Sequence, residues 1–210
     1  MTKRTVHQAL YNTLADWETG HAIAHLRNGA WHREPGGFEV VTVGATLDPI
    51  VTAGGLRIVP DITLDQLSPE DSALLILPGA DTWVTGELDA FGAKAKEFAE
   101  AGVPVAGICG ATVGLARQGL LDERAHTSNV LEFLTMTTPG YKGAERYVDA
   151  DAVTDGAVIT AGATEPEAFA REIFAKLDVY EPEVLDAWFR LFHDSDGSAF
   201  MVLEAAGAHE

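Results

Sequence analysis

The feature that most restricts the fold is an apolar run, Ala73-Leu-Leu-Ile-Leu77, that stops abruptly at Pro78-Gly79. A short continuous apolar run is typical of a central parallel strand, because helices cover both faces of such a strand. Residues 103–107 (VPVAG) form a second run of this kind, and a helical pattern at 87–101 separates the two. This alternation of buried strands and helices predicts a three-layer α/β sandwich with a mostly parallel sheet.

Further elements are predicted on both sides of these strands. Residues 50–52 and 56–59 flank Ala53-Gly-Gly55, which predicts a hairpin beside the main sheet. No linker or internal repeat interrupts the pattern, so one domain over 1–210 is predicted, with 178–210 as a C-terminal helical extension. The other predicted strands are 5–10, 38–44, 152–154 and 158–161, and the other predicted helices are 17–28, 109–117, 166–177 and 183–192.

Charge and cysteine content limit the setting and the partners. The formal net charge of −18 argues against binding to nucleic acid or to an anionic membrane surface. No apolar stretch approaches the roughly 18 residues that a membrane span needs, and the N-terminus lacks the apolar region of a signal peptide. One cysteine in 210 residues cannot form an intramolecular disulfide or a cysteine-rich metal site. We therefore expect a cytoplasmic protein with no metal or cofactor.

That single cysteine stands in a pattern that favours a nucleophile. Cys109 directly follows the strand predicted at 103–107, precedes a helix, and lies between the small residues Gly107 and Ala111. This arrangement matches a nucleophile elbow, in which small flanking residues allow a sharp strand-to-helix turn. The free N–H groups at a helix start would favour the thiolate. The sequence therefore predicts a reactive thiol at the carboxyl edge of the sheet, where ligands bind in this class of fold.

Glu18 is the first candidate partner of the thiol. It follows the first predicted strand and so lies at the same edge of the sheet as Cys109. In a partly desolvated site beside a thiolate, the pKa of this carboxyl should rise, and a protonated Glu18 could donate to sulfur and shuttle protons. An acidic residue in the first turn of a helix is also favoured by the helix dipole alone, so both interpretations stay open.

Backbone amides and one histidine complete the predicted site. The N–H groups of Gly79 and Gly110 could form an oxyanion hole. His126 follows the helix that begins at Cys109 and could orient or activate the thiol, although a lone loop histidine is often structural.

At this point the sequence resembles the ThiJ/PfpI superfamily, whose flavodoxin-like fold is shared with class I glutamine amidotransferase domains. The resemblance implies that Glu18 and Cys109 form the acid–cysteine pair of the family, and it implies a homodimer. The stretches that carry it are 16–18 (DWE), 52–61 (TAGGLRIVPD), 75–83 (LILPGADTW) and 106–116 (AGICGATVGLA).

Two departures from the family pattern concern the site. Many peptidase-like members have His directly after the cysteine, where this chain has Gly110. Others take a His from the loop after the elbow helix, where this chain has Thr127-Ser-Asn129 with His126 slightly earlier. The third catalytic residue therefore stays open between His126, Asn129 and none. Ala80 also replaces a usual second glycine after Pro78, which affects the oxyanion loop.

Three functions compete at this stage. The first is a cysteine-dependent enzyme acting on a small carbonyl or amide substrate, either glyoxalase- or deglycase-like or amidase-like, with aldehyde chemistry favoured because no clear histidine accompanies the thiol. The second is a redox or stress-response protein in which Cys109 is oxidised to the sulfinic acid and Glu18 stabilises the product. The third is a chaperone-like binding dimer.

Overall fold

The computed structural model describes residues 4–207. Seven strands form one sheet in the order β5-β2-β1-β6-β7-β9-β8, and every neighbouring pair is parallel except the antiparallel β8–β9 pair. A separate antiparallel hairpin, β3–β4, confirms the hairpin prediction. The strands are β1 Thr5–Ala9, β2 Glu39–Gly44, β3 Ile50–Val51, β4 Arg57–Ile58, β5 Ile62–Thr63, β6 Leu74–Leu77, β7 Val105–Ile108, β8 Ala152–Asp155 and β9 Val158–Ala161.

Helices cover both faces of the sheet, which confirms the predicted three-layer α/β sandwich. One face packs against α1, α6, α7 and α8, and the other against α2, α3, α4 and α5. The helices are α1 Gly20–Asn28, α2 Thr82–Thr85, α3 Asp89–Glu100, α4 Ala111–Arg117, α5 Leu131–Thr137, α6 Pro166–Lys176, α7 Pro182–Phe192 and α8 Phe200–Gly207.

The apolar run at β6 is continuous because its side chains enter both cores. Leu74 and Ile76 pack into the core under α1 and α6, while Leu75 and Leu77 pack into the core under α3 and α4. All four residues are fully buried. Successive side chains of a strand point to opposite faces, so a strand covered on both sides needs apolar residues at every position.

The first helix is shorter than the sequence predicts. It begins at Gly20 rather than at residue 17, and it buries Ala22 and Leu26 against the sheet. Glu18 therefore lies in the loop between β1 and α1 and not in the first turn of a helix. The preference of acidic residues for helix starts consequently does not explain Glu18.

Three short elements were absent from the sequence prediction, namely β5, α2 and α5, whereas α8 lies within the helical extension predicted at 178–210. The strand β5 has only two residues, and α2 has only four, too few to show a hydrophobic period. None of the helices within 4–207 is both long and apolar enough to cross a lipid bilayer. The C-terminal extension contains α7 and α8, which bury Trp188 and Leu203 in the core under α1 and α6.

Strand order brings the candidate residues together. β6 pairs with β1 on one side and with β7 on the other. The segments that follow the carboxyl ends of these three strands therefore meet at one edge of the sheet. They carry Glu18, Gly79 and Cys109, respectively.

Candidate active site

Cys109 occupies a strained elbow between β7 and α4. Its φ of 57° lies in the left-handed region, which non-glycine residues seldom adopt. Small neighbours make the turn possible: a Cβ on Gly107 would lie 2.8 Å from Leu115 Cδ1, and one on Gly110 would lie 2.9 Å from the Ala80 carbonyl oxygen. The elbow geometry predicted from the sequence is thus present, and it leaves the thiol partly exposed at the end of β7.

Glu18 lies against the thiol across Gly79. Its side chain is fully buried, and its Oε2 accepts a 2.5 Å hydrogen bond from the Gly79 N–H. A Cβ on Gly79 would lie 2.8 Å from Cys109 Cβ and 2.8 Å from each Glu18 carboxylate oxygen. Any side chain at position 79 would collide with both groups, so glycine at this position allows the Glu18 carboxyl and Cys109 to face each other.

Burial holds protons on both groups of this pair. Desolvation raises the pKa of Glu18 to about 7, although the Gly79 N–H stabilises the ionised form. Burial and then the Glu18 charge raise the pKa of Cys109 to about 11, against hydrogen bonds from the Asn129 amide and the Gly110 N–H. The expected lowering of the thiol pKa is therefore wrong in direction. The resting site is a thiol beside a carboxyl that loses its proton near neutral pH.

Asn129 is the third side chain at the sulfur. Its Nδ2 lies 3.5 Å from Cys109 Sγ as a donor, while its Oδ1 accepts the Ala163 N–H at 3.0 Å. The bond to Ala163 fixes which end of the amide faces the sulfur, because only Oδ1 can accept an N–H. Asn129 is thus oriented to stabilise negative charge on Sγ.

The structure places His126 away from this role. Its side chain is fully buried, its Nδ1 pairs with the Arg124 carbonyl at 2.7 Å, and its Nε2 pairs with the Tyr141 hydroxyl at 2.5 Å. The ring also packs edge-on against Tyr141 and Tyr147. With both ring nitrogens engaged elsewhere, His126 anchors the loop that carries Asn129 and does not orient the thiol.

This placement predicts that His126→Phe affects stability rather than reactivity. Phenylalanine retains the ring but loses both hydrogen bonds and leaves the Tyr141 hydroxyl unpaired, so the free energy of unfolding should fall by about 1–3 kcal/mol. Denaturant unfolding measures this loss, and the alkylation rate of Cys109 in the folded variant should match that of the wild type. A large change in the alkylation rate of Cys109 with an unchanged free energy of unfolding would instead show that His126 acts on the thiol.

The amide donors available for an oxyanion hole also differ from the predicted pair, Gly79 and Gly110. The Gly79 N–H already donates to Glu18, so it is not available to an oxyanion while that bond persists. The Gly110 N–H faces the sulfur. Within residues 4–207, the Ala80 N–H has no hydrogen-bond acceptor, and this nitrogen lies 3.4 Å from the position of a Cβ on Gly110. Gly110 and Ala80 are therefore the amide donors that remain.

Two aromatic residues that the sequence analysis did not assign to the site hold its central loop. Tyr11 donates its hydroxyl hydrogen to the Pro78 carbonyl, and Trp83 Nε1 donates to the same oxygen at 3.0 Å. Both side chains are buried and pack edge-on. They fix the turn that presents Gly79 to Glu18, but a sequence gives no signal for such contacts beyond the apolar character of the residues.

Thr112 and Ser128 link the elbow to the loop of Asn129. Thr112 Oγ1 donates to the Cys109 carbonyl at 2.6 Å and lies 2.7 Å from Ser128 Oγ.

Elsewhere among the described residues, Asp151, Glu165 and His193 have possible metal-ligand atoms within 4.8 Å of one another, but this group includes neither Cys109 nor Glu18.

The fold and the elbow together define a class: flavodoxin-like α/β proteins with a cysteine nucleophile elbow and a buried acid. The profile of the DJ-1/PfpI family matches residues 4–176, and the chain belongs to this family. It is 40% identical over 192 residues to uncharacterized protease YoaZ of Bacillus subtilis (strain 168), an alignment that covers 91% of each protein.

Two further comparisons concern structure and activity. A thiJ/pfpI family protein from Bacillus anthracis superimposes with a TM-score of 0.93 at 39% identity, covering 98% of both chains. Glutathione-independent glyoxalase DJR-1.2 of Caenorhabditis elegans is 31% identical over 132 residues, which cover 60% of this chain and 65% of that protein. Relatives named as a protease and as a glyoxalase indicate an enzyme of the DJ-1/PfpI type.

Proposed function

We propose that this protein is a cysteine-dependent enzyme that converts small 2-oxoaldehydes to 2-hydroxy acids. The observation that carries the proposal is the Glu18 carboxyl, buried against Cys109 across Gly79 and losing its proton near neutral pH. A base of this pKa beside a thiol can take the S–H proton during attack and return it later.

The first step is addition of the thiol to the aldehyde. Sγ of Cys109 bonds to the aldehyde carbon while the carboxylate of Glu18 removes the thiol proton. The carbonyl π bond breaks toward oxygen, and the Gly110 and Ala80 N–H groups stabilise the resulting charge. Glu18 then protonates this oxygen, which gives a hemithioacetal and restores the carboxylate.

The second step is an internal redox exchange that needs no external oxidant. Glu18 removes the proton from the former aldehyde carbon, which gives an enediol when the ketone oxygen takes up the proton of the hemithioacetal hydroxyl, and Glu18 then delivers the carbon-derived proton to the neighbouring carbon. The first carbon is thereby oxidised to a thioester, and the second is reduced to an alcohol. Water then cleaves the thioester, so the sum is one 2-oxoaldehyde plus one water giving one 2-hydroxy acid and the free thiol.

Aldehyde chemistry suits this site better than amide hydrolysis. An aldehyde has no amine leaving group to protonate, whereas amide cleavage needs an acid at the leaving nitrogen, a role that His126 cannot fill from its place among tyrosines. The name of the glyoxalase DJR-1.2 also supports this choice. Amide hydrolysis, suggested by the name of YoaZ, is the second candidate. The homodimer remains a prediction of the family resemblance.

The test is product analysis with methylglyoxal. We expect purified protein to form lactate with no added thiol or cofactor, and to leave a chromogenic amide such as alanine p-nitroanilide uncleaved. Lactate formation no faster than in a protein-free blank would contradict the proposal. Addition of two oxygens to Cys109 by peroxide, in a protein without turnover, would favour the redox function instead.

A further inference from the structure

A turn beyond the end of β9 packs directly against the loop that carries Asn129. The Glu165 N–H closes this turn, residues 162–165, with a 3.2 Å hydrogen bond to the Gly162 carbonyl. A Cβ on Gly162 would lie 3.3 Å from the Ser128 carbonyl oxygen and 3.9 Å from Asn129 Cα. The position of the 162–165 turn therefore affects the residue that contacts the sulfur.

Ala163 in this turn is held on both sides of its Cα. Its N–H donates to Asn129 Oδ1 at 3.0 Å, and its carbonyl accepts the indole N–H of Trp17 at 3.0 Å. Asn129 Nδ2 in turn lies 3.5 Å from Cys109 Sγ. Hydrogen bonds therefore form a continuous path from the Trp17 indole to the thiol.

The Asn129 amide depends on this path for its orientation. Asn129 is exposed, so packing does not fix the amide. Within residues 4–207, its side chain forms two hydrogen bonds, one with the Ala163 N–H and one with the sulfur. If the Ala163 N–H moved away, the amide would be free to rotate toward water, and the donor at Sγ would be lost.

The backbone around Trp17 is anchored on both sides. The preceding residue, Asp16, accepts the Gly54 N–H at 2.6 Å, and the following residue, Glu18, accepts the Gly79 N–H at 2.5 Å. The indole itself is 56% exposed, so its hydrogen bond to the turn, rather than burial in the core, fixes its position. Trp17 thus joins the turn to a segment that is already tied to the site.

We propose that Trp17 is a positioning residue of the thiol. Its indole N–H holds the 162–165 turn, and this turn holds the Asn129 amide through the Ala163 N–H. The amide places an N–H donor on Cys109 Sγ, where it stabilises the negative charge that develops as the thiol loses its proton. Trp17 acts on the thiol itself, so only its effect on turnover rests on the proposed function.

The test is a double-mutant cycle on the alkylation rate of Cys109 by iodoacetamide at pH 8. Trp17→Phe retains an aromatic ring and removes the N–H, and Asn129→Ala removes the donor at the sulfur. Loss of a donor to the thiolate should raise the thiol pKa by about one unit. Because a more basic thiolate is also a better nucleophile, each single variant should react only about two- to fourfold more slowly. The double variant should react at the rate of Asn129→Ala alone.

Trp31→Phe is the matched control, because Trp31 follows the opposite end of α1 from Trp17 and stacks on His25. Its alkylation rate should equal that of the wild type. Three results would overturn the role of Trp17: a wild-type rate in either single variant, the same slowing when Trp17→Phe is added to Asn129→Ala, or an equal slowing in Trp31→Phe.

Turnover of methylglyoxal separates this role from the reaction. If the wild type forms lactate, kcat/KM should fall in Trp17→Phe and should not fall further when Trp17→Phe is added to Asn129→Ala. Coupled losses of alkylation in a protein that forms no lactate would refute the proposed function and retain the role of Trp17. Lactate formation with absent or uncoupled losses of alkylation would retain the function and refute the role of Trp17.

Discussion

Cys109→Ala is expected to lower the turnover of methylglyoxal at least about a thousandfold, the scale on which removal of a covalent nucleophile acts. The proposed reaction passes through bonds to Sγ in every step, so no other group of the site can substitute for the sulfur. Lactate formation under single-turnover conditions measures the loss. The variant should remain folded, because the thiol is only partly buried and alanine retains its Cβ.

Cys109→Ser is the matched control for this result. Serine has nearly the same shape and can still receive the Asn129 hydrogen bond, but its hydroxyl is a far weaker nucleophile and should give a similarly large loss. Mass spectrometry of wild-type protein quenched with substrate should show an adduct on the peptide that contains Cys109. If Cys109→Ala turns over methylglyoxal at a rate within tenfold of the wild type, the thiol is not the nucleophile of the reaction.

Glu18→Gln is expected to reduce kcat by about 10²–10⁴, the usual contribution of a general base. Glutamine can still meet the Gly79 N–H through its amide oxygen, so the fold of the loop should persist. The wild-type rate should rise with pH as Glu18 loses its proton near pH 7, since the deprotonated carboxylate is the form that accepts the thiol proton. This limb of the pH profile should vanish in the variant.

Asp81→Asn controls for a general loss of negative charge. Asp81 is an exposed carboxylate on the loop that follows Gly79, and its removal should leave both the rate and the pH profile unchanged. A pH limb near 7 that persists in Glu18→Gln would assign the titrating base to another group.

The sequence predicted the scaffold and placed Glu18 and Cys109 at one edge of the sheet, whereas their pairing was implied only by the family resemblance. The apolar runs at 73–77 and 103–107 indicate buried strands, because a strand that is buried on both faces has no position for a polar residue. The small residues around Cys109 indicate the elbow. In the structure, a side chain at Gly107 would collide with Leu115, and one at Gly110 would collide with the Ala80 carbonyl. Glu18 could be placed at the same edge as Cys109 because each follows a predicted strand of a mostly parallel sheet, and the carboxyl ends of parallel strands meet at one edge.

The third residue could not be predicted in this way. His126 and Asn129 lie three positions apart in one loop, and only the packing of the ring against Tyr141 and Tyr147 decides which of them faces the thiol. The contact of Trp17 with Ala163 joins residues 146 positions apart, a separation that no local pattern reports.

The thiol pKa was predicted in the wrong direction for a related reason. A helix start favours the thiolate, whereas burial and a neighbouring carboxylate disfavour it, and the balance depends on how deeply both groups are enclosed. The sequence places the groups at one edge but does not give their burial. In the structure, burial has the larger effect on both.

The central claim is that Cys109 and Glu18 act as a thiol and its base. It is tested most directly by the pH dependence of Cys109 alkylation with iodoacetamide in the wild type and in Glu18→Gln, followed by mass spectrometry. An ordinary cysteine thiol has a pKa of about 8.5. The account predicts that the pKa of Cys109 in the wild type lies above this value. It also predicts a decrease of about one unit or more in Glu18→Gln, because the adjacent negative charge is gone. A pKa that stays the same or rises in Glu18→Gln, or a wild-type value at or below that of a free thiol, would contradict it.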